Sequence, residues 1–395
     1  MAEIWKKLVD WGGLILWSLV CVIILVLAWQ NPDARSVVVN YRFGSEAFLA
    51  GQSPYNIKVA MGYLYTPAFA VLYIPFMHLG AHLGDSLWRL FGIAVLTYAV
   101  YRQMRRIGNP NPIWFMSCTL FLALPMTAGA LRNGQATVLL TGACWLLTLS
   151  ALEGKKAETF LWASLAIIAK PTAIVMLLLV GALRFRMIPV LILSVVFVLV
   201  IPYAFGPFGY INRLNSDFLG LMTAMSVDKS AAFITADFTS PFAEFGMPIS
   251  TDVATGIRLV AALLTLAAVI WYDRNLDAKL VALVVFVLAA FYMCVFNPRV
   301  ESSTYAMLAV PCGMAITYIW QTEGRGLFRV LLAGALMAAG LTGIVREVNE
   351  LLQPWFRSIA VTVITMTVLW WYYSQARRSV QHVRTGAHAA YQAKS

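Results

Sequence analysis

Charge is scarce in this sequence. Lys, Arg, Asp and Glu make up 12% of 395 residues and hydrophobic residues 61%, whereas an ordinary soluble domain carries roughly twice that charged share. The scarcity excludes a water-soluble globular fold. Histidine is sparse at four residues, and the five cysteines (Cys21, Cys118, Cys144, Cys294, Cys312) all fall inside apolar runs. There they read as small hydrophobic fillers, not as a disulfide framework or a metal site. His78 and His82, four apart and near Asp85, are a weak metal-ligand spacing that would need a helix to share a face. No small-x-small cleavage pattern follows the apolar run Trp11 to Trp29, so that run is a retained span and not a signal peptide. No clear repeat relates the two halves, which weighs against an inverted-repeat transporter.

What the sequence has in quantity is apolar runs near the ~20 residues that cross a bilayer. The expected fold is all-α: one polytopic membrane domain over residues 1–373, then a basic, disordered cytoplasmic tail at 374–395. The net charge of +11 comes from short basic clusters between apolar runs, which points to membrane orientation and not to nucleic acid. With Lys6 and Lys7 inside, the first polar loop, 31–86, lies on the outer face. Treating Tyr63 to Leu79 as a span would place Arg102, Arg105 and Arg106 outside, so this stretch reads as a juxtamembrane helix at the outer leaflet. Pro171 breaks the run 159–183 into a hairpin with Lys170 at its outer tip. A second outer loop covers 206–254, and the count comes to about twelve crossings with both termini cytoplasmic.

Ionisable residues beside apolar runs are the informative ones, because burying them unpaired costs several kcal/mol. They collect on the outer side. Arg132, Lys170 and Arg299 stand at the outer ends of different hairpins, where they either snorkel to headgroups or converge on an anionic group such as a phosphate. Asp33, Glu46 and Glu301 are the outer carboxylates available to deprotonate an incoming hydroxyl. Each also has a structural reading: a turn after Asn31-Pro32 for Asp33, an i,i+4 pair with Arg42 for Glu46, and a pair with Arg299 for Glu301. Tyr41, Tyr55, Tyr63, Tyr65 and Tyr73 line the first loop as rings for a sugar face or as an interfacial belt.

The order of motifs then becomes recognisable. Asn40-Tyr41, Leu49-Ala50-Gly51-Gln52-Ser53-Pro54-Tyr55 and Tyr65-Thr66-Pro67 are followed by Asn133-Gly134-Gln135, Lys170-Pro171 and Asn297-Pro298-Arg299-Val300-Glu301. This set resembles the bacterial family 87 glycosyltransferases, integral-membrane enzymes of the GT-C fold. The resemblance implies transfer of a sugar from a polyprenyl-phosphate donor to a lipid or glycan acceptor on the outer face of the inner membrane. It implies a catalytic carboxylate among Asp33, Glu46 and Glu301, and donor-phosphate contacts from Arg132, Lys170 and Arg299. Substrate-lining roles fall to Asn40, Tyr41, Arg42, Tyr55, Tyr65, Asn133, Gln135 and Asn297. No cofactor is demanded by any ligand set, although relatives differ in metal use. Aligned on Gly51, the Asp that the family usually carries falls near Val37, which has no carboxylate. An inactive subunit of an envelope-glycan assembly, and a carrier or flippase for a lipid-linked solute, are the competing readings.

Overall fold

The computed structural model describes residues 2–55, 62–227, 236–298, 300–324, 326–342, 348, 352 and 355–392. All regular structure among them is helical. Six helices are long and apolar enough to cross a membrane: Val9–Gln30, Gly80–Ile107, Pro112–Asn133, Phe185–Ala204, Thr251–Asn275 and Ala278–Val295. Pro67–His78, Ala136–Leu152, Pro171–Leu183 and Leu327–Leu341 are shorter apolar helices. We number the helices α1 (Ala2–Gln30), α2 (Val38–Leu49), α3 (Pro67–His78), α4 (Gly80–Ile107), α5 (Pro112–Asn133), α6 (Ala136–Leu152), α7 (Lys156–Ala169) and α8 (Ile174–Leu183). The series continues with α9 (Ile188–Val200), α10 (Phe208–Val227), α11 (Thr239–Glu244), α12 (Thr251–Asn275), α13 (Ala278–Val295), α14 (Ala306–Glu323), α15 (Leu327–Leu341) and α16 (Trp355–Gln392).

Helices α6 and α13 form the centre. α6 is buried along its length, α13 is 83% buried, and Trp145 of α6 stacks on Phe286 of α13 at 5.1 Å. By contrast α12 is only 17% buried and exposes Leu259, Leu263 and Leu264, an apolar outer surface suited to lipid. The inner ends are tied by charge. Arg102 of α4 pairs with Glu153 and Glu158, Arg106 with Glu153 and the Ala278 carbonyl, and Arg184 binds Asp273 through both carboxylate oxygens at 2.9 Å. These basic groups gather at one end of α4, α6 and α13. The Asn133–Gln135 turn, Lys170 and Asn297 gather at the other.

Local chemistry sets the boundaries. Pro67 occupies the first turn of α3, where its missing N–H costs nothing, so this helix starts after the extended Thr66 and leaves Tyr63 and Tyr65 outside it. α3 packs between α2 and α4 by an aromatic cluster in which Tyr41 meets Phe69 at 4.7 Å and Trp88 at 5.6 Å. The chain breaks at Lys170 (φ −156°, ψ 134°), because a residue before proline is driven out of the helical region. α7 then packs against α9, with the Phe160 and Phe197 rings 5.4 Å apart, while α8 sits against α12 and α13.

Three expectations need correction. The first loop ends earlier than residue 86, because α4 begins at Gly80 and takes Asp85 into the protein. The second loop ends earlier than residue 254 and carries helices of its own, α10 and α11: α12 already starts at Thr251, capped by the Ser250 side chain accepting from the Val253 N–H. The tail is helical through Gln392, since 374–392 contains no proline to stop α16.

Candidate active site

The site is built on the turn between α5 and α6. Gly134 adopts φ +66° and closes α5, and a side chain there would meet Val38 Cγ2 at 2.4 Å and Arg89 Cζ at 3.0 Å, so only glycine fits. The turn's backbone serves its neighbours. The Val37 N–H donates to the Asn133 carbonyl at 3.0 Å, the Trp88 indole N–H to the Gly134 carbonyl at 2.9 Å, and the Ala136 N–H to the Tyr41 hydroxyl at 3.1 Å. α2 is thereby docked beside the first turn of α6. On its other side α2 is covered by α10, whose Tyr210 hydroxyl lies 2.9 Å from the Phe48 and Gln52 carbonyls, and whose Asp217 accepts from Ser53 at 2.6 Å.

Between these elements lies a cavity of about 310 Å³. Val37, Asn40 and Tyr41 of the α2 region, Gly62, Leu64 and Tyr65 of the extended segment, and Leu140 of α6 form one side. Lys170, Pro171 and Thr172, Phe218 and Met222 of α10, and Met293, Asn297, Glu301, Thr304 and Met307 complete it. The Lys170 ammonium has no hydrogen-bond or ion-pair partner among the described residues. Burial pushes its ammonium pKa down, opposed by the Glu301 carboxylate. Glu301 accepts from the Gln135 amide and from the Ser303 hydroxyl, both at 3.2 Å and both on Oε2. Among the described residues Oε1 has no such donor, so the anchored oxygen is Oε2. Tyr41 and Tyr65 share a 2.9 Å hydroxyl contact beside Glu301, and burial holds both phenols above their ordinary pKa, so they stay protonated. Among the described residues the cavity thus presents one cation, one carboxylate, amides, phenols and two threonines within a wall that is otherwise apolar.

The residues expected from sequence divide. Asn40, Tyr41, Tyr65, Lys170, Asn297 and Glu301 line the cavity, and Gln135 reaches it through Glu301. Tyr55 stands behind the wall, donating to the Tyr65 carbonyl at 2.8 Å, and Asn133 contributes its backbone carbonyl. Asp33 and Arg42 are not at the cavity: they pair with each other, and Arg42 Nε lies 3.4 Å from Asp85. Glu46 is exposed on α2, and the expected Arg42–Glu46 pair is replaced by this contact because Asp85 is buried and the stronger attraction for Arg42. Arg132 is absent from the lining, and its carbonyl accepts from Arg89. Arg299 lies outside the described residues. Among those described, no three His, Cys, Asp or Glu side chains are placed to hold a metal ion. His82 Nδ1 instead contacts the Trp29 carbonyl at 2.5 Å.

Sequence reasoning missed Asp85 and Arg89. Asp85 is fully buried and accepts from the Tyr73 hydroxyl at 2.7 Å, while Arg89 binds the Asp85 carbonyl at 3.0 Å and Ser36 Oγ at 2.9 Å. Their i,i+4 spacing inside the apolar run of α4 was the available signal. It was obscured by drawing the loop boundary at residue 86.

The sequence profile of glycosyltransferase family 87 matches residues 63–298, more than half of the chain. The chain belongs to glycosyltransferase family 87. Membership in family 87 implies glycosyltransferase activity for this multi-helix membrane protein. The matched stretch takes in Tyr65, Gln135, Lys170 and Asn297, while Val37, Tyr41 and Glu301 lie outside it. Among solved structures, a crystal structure of ArnT from Cupriavidus metallidurans bound to undecaprenyl phosphate is 15% identical, over 91% of this chain and 75% of that chain, with a TM-score of 0.43. No curated protein sequence matches.

Proposed function

We propose that the cavity transfers a sugar from a polyprenyl-phosphate donor to a hydroxyl of a lipid or glycan acceptor on the outer face of a bacterial inner membrane. The observation that carries this reading is the placement of Lys170 and Glu301 on one cavity, with the Glu301 carboxylate anchored through Oε2 by Gln135 and Ser303. Lys170 holds the donor phosphate as a compact charge. Glu301 Oε1 takes the proton of the acceptor hydroxyl as its oxygen bonds the anomeric carbon; the bond from that carbon to the phosphate oxygen breaks and its electron pair leaves on the phosphate. Tyr41, Tyr65, Asn40 and Asn297 flank the sugar. Asp33 and Glu46 have no part in the step. The membrane arrangement that goes with this reading is about twelve crossings with both termini cytoplasmic, supported by the gathering of basic clusters at the end opposite the cavity.

Labelled polyprenyl-phosphate sugars offered to the purified protein test it. Glu301→Gln should lower the transfer rate by ~10²–10⁴-fold with donor binding kept, and Lys170→Ala should lose donor binding. Near-native transfer by both variants would refute the assignment. One observation favours a second reading: Val37, the position where the family resemblance places its Asp, lines the cavity without a carboxylate. An inactive subunit that binds the donor without transferring it would show binding that depends on Lys170 and no turnover from any donor.

A further inference from the structure

Glu301 follows α13 at the end of a five-residue connection, and a carboxylate on such a segment acts as a base only if the segment is held. Gln135 and Ser303 fix the carboxylate itself; something else must fix the backbone. The polar groups at 236–239 and on α12 do this from the side away from the cavity. The Phe238 N–H donates to the Val295 carbonyl at 2.9 Å and the Ala236 N–H to the Val300 carbonyl at 2.7 Å, so two donors span the connection from one end to the other. The Ala236 carbonyl accepts from the Tyr305 hydroxyl at 2.6 Å, which extends the clamp past Glu301.

Asp237, between those donors, is buried, and its carboxylate is fully engaged. Oδ2 meets Arg258 Nη2 at 2.7 Å, and Oδ1 takes the Thr239 hydroxyl at 2.6 Å and the Thr239 N–H at 3.2 Å. Arg258 also donates from Nε to the Phe296 carbonyl at 2.9 Å, and lies 5.4 Å from the centre of the Phe238 ring. One guanidinium thus joins the clamp, α12 and the connection, using the fixed fork that lysine lacks.

We propose that Asp237 and Arg258 are positioning residues that set the Glu301 carboxylate against the acceptor hydroxyl, without touching substrate. This rests on the reading of Glu301 as the base. A misplacement of about 1 Å at a reacting group costs roughly a hundredfold in rate, so D237N should lower kcat by about that factor and leave KM for the donor near native, since Lys170 is held by α7 and Pro171 and not by the clamp. D273N is the control: it breaks another Arg–Asp pair, a bidentate one at the inner end, and should leave kcat unchanged. Hydrogen exchange adds a readout that needs no turnover: amides of 295–305 should exchange faster in D237N and not in D273N. If the native protein transfers nothing, the functional reading fails, while the exchange result still decides whether the clamp holds the connection. Should D237N not fold, R258K decides, because an ammonium keeps the charge yet lacks the two separate nitrogens by which Arg258 holds Asp237 and the Phe296 carbonyl in fixed geometry; its kcat should fall too. Native kcat in folded D237N or R258K, an equal loss in D273N, or unchanged exchange at 295–305 would overturn the proposal.

Discussion

Substituting Gly134 by alanine tests whether the α5–α6 turn is the keystone of the site. The backbone there has φ +66°, and left-handed backbone costs a residue with Cβ ~1–2 kcal/mol. The new Cβ would also lie 2.4 Å from Val38 Cγ2 and 3.0 Å from Arg89 Cζ, and forced overpacking adds ~1–3 kcal/mol. The sum is ~2–5 kcal/mol. Two other glycines separate the terms. Gly108 has φ +71° with nothing within 4 Å, so G108A should lose only the ~1–2 kcal/mol of conformation. Gly129 is helical and open, and G129A should gain ~0.5–1 kcal/mol. Equilibrium unfolding in mixed micelles, followed by far-UV circular dichroism, should rank the three with G134A least stable. Because the turn also holds Val37 and Gln135, G134A protein that remains folded should transfer slowly. A G134A no less stable than G108A would mean that α2 does not press on the turn, and the account of how the cavity wall is docked would fail.

Donor binding should depend on pH through Lys170. Its pKa is lowered by burial, so the ammonium is lost below the range of an ordinary lysine, and affinity for a polyprenyl phosphate should decline on the alkaline side from that point. Lys170→Arg should remove that limb, since a guanidinium does not deprotonate there; titration calorimetry at several pH values reads both, and a flat native profile would contradict the assignment. The same shift has a sign for stability: the unfolded chain holds this proton more tightly than the folded one, so the Lys170 contribution grows as pH rises from the folded pKa towards 10.5. Asp85→Ala should cost roughly 3–5 kcal/mol, because Arg42 would lose the buried carboxylate it pairs with and the Tyr73 hydroxyl its acceptor, while Arg89 would keep its bond to the backbone carbonyl and lose the nearby opposite charge; a loss below 1 kcal/mol in the same unfolding assay would remove Asp85 from the structural core of the site.

The sequence by itself determined the membrane character, the helical class and the end at which Tyr65, Lys170, Asn297 and Glu301 gather. Those follow from composition, from apolar runs of bilayer length, and from the sorting of Lys and Arg clusters, all of which act over short stretches of chain. It also located the break at Lys170, because proline acts on its immediate neighbours, and it drew the cavity's Tyr65, Lys170, Asn297 and Glu301 from short motifs. What it left open was which carboxylate faces Lys170. Local spacing gave Asp33, Glu46 and Glu301 a structural alternative each and kept all three as candidates, since nothing along the chain tells a pair a few residues apart from one formed across the fold. Tertiary packing decided the matter. Asp85, buried on α4, draws Arg42 away from Glu46; Gln135, 166 positions from Glu301 in sequence, anchors one oxygen of that carboxylate; and Asp237, from a segment that reads as loop, pairs with Arg258 of α12, which binds the Phe296 carbonyl of the backbone leading to it. Each of these is a contact between charges or hydrogen-bonding groups brought together by folding, and their strength depends on burial that no local pattern encodes.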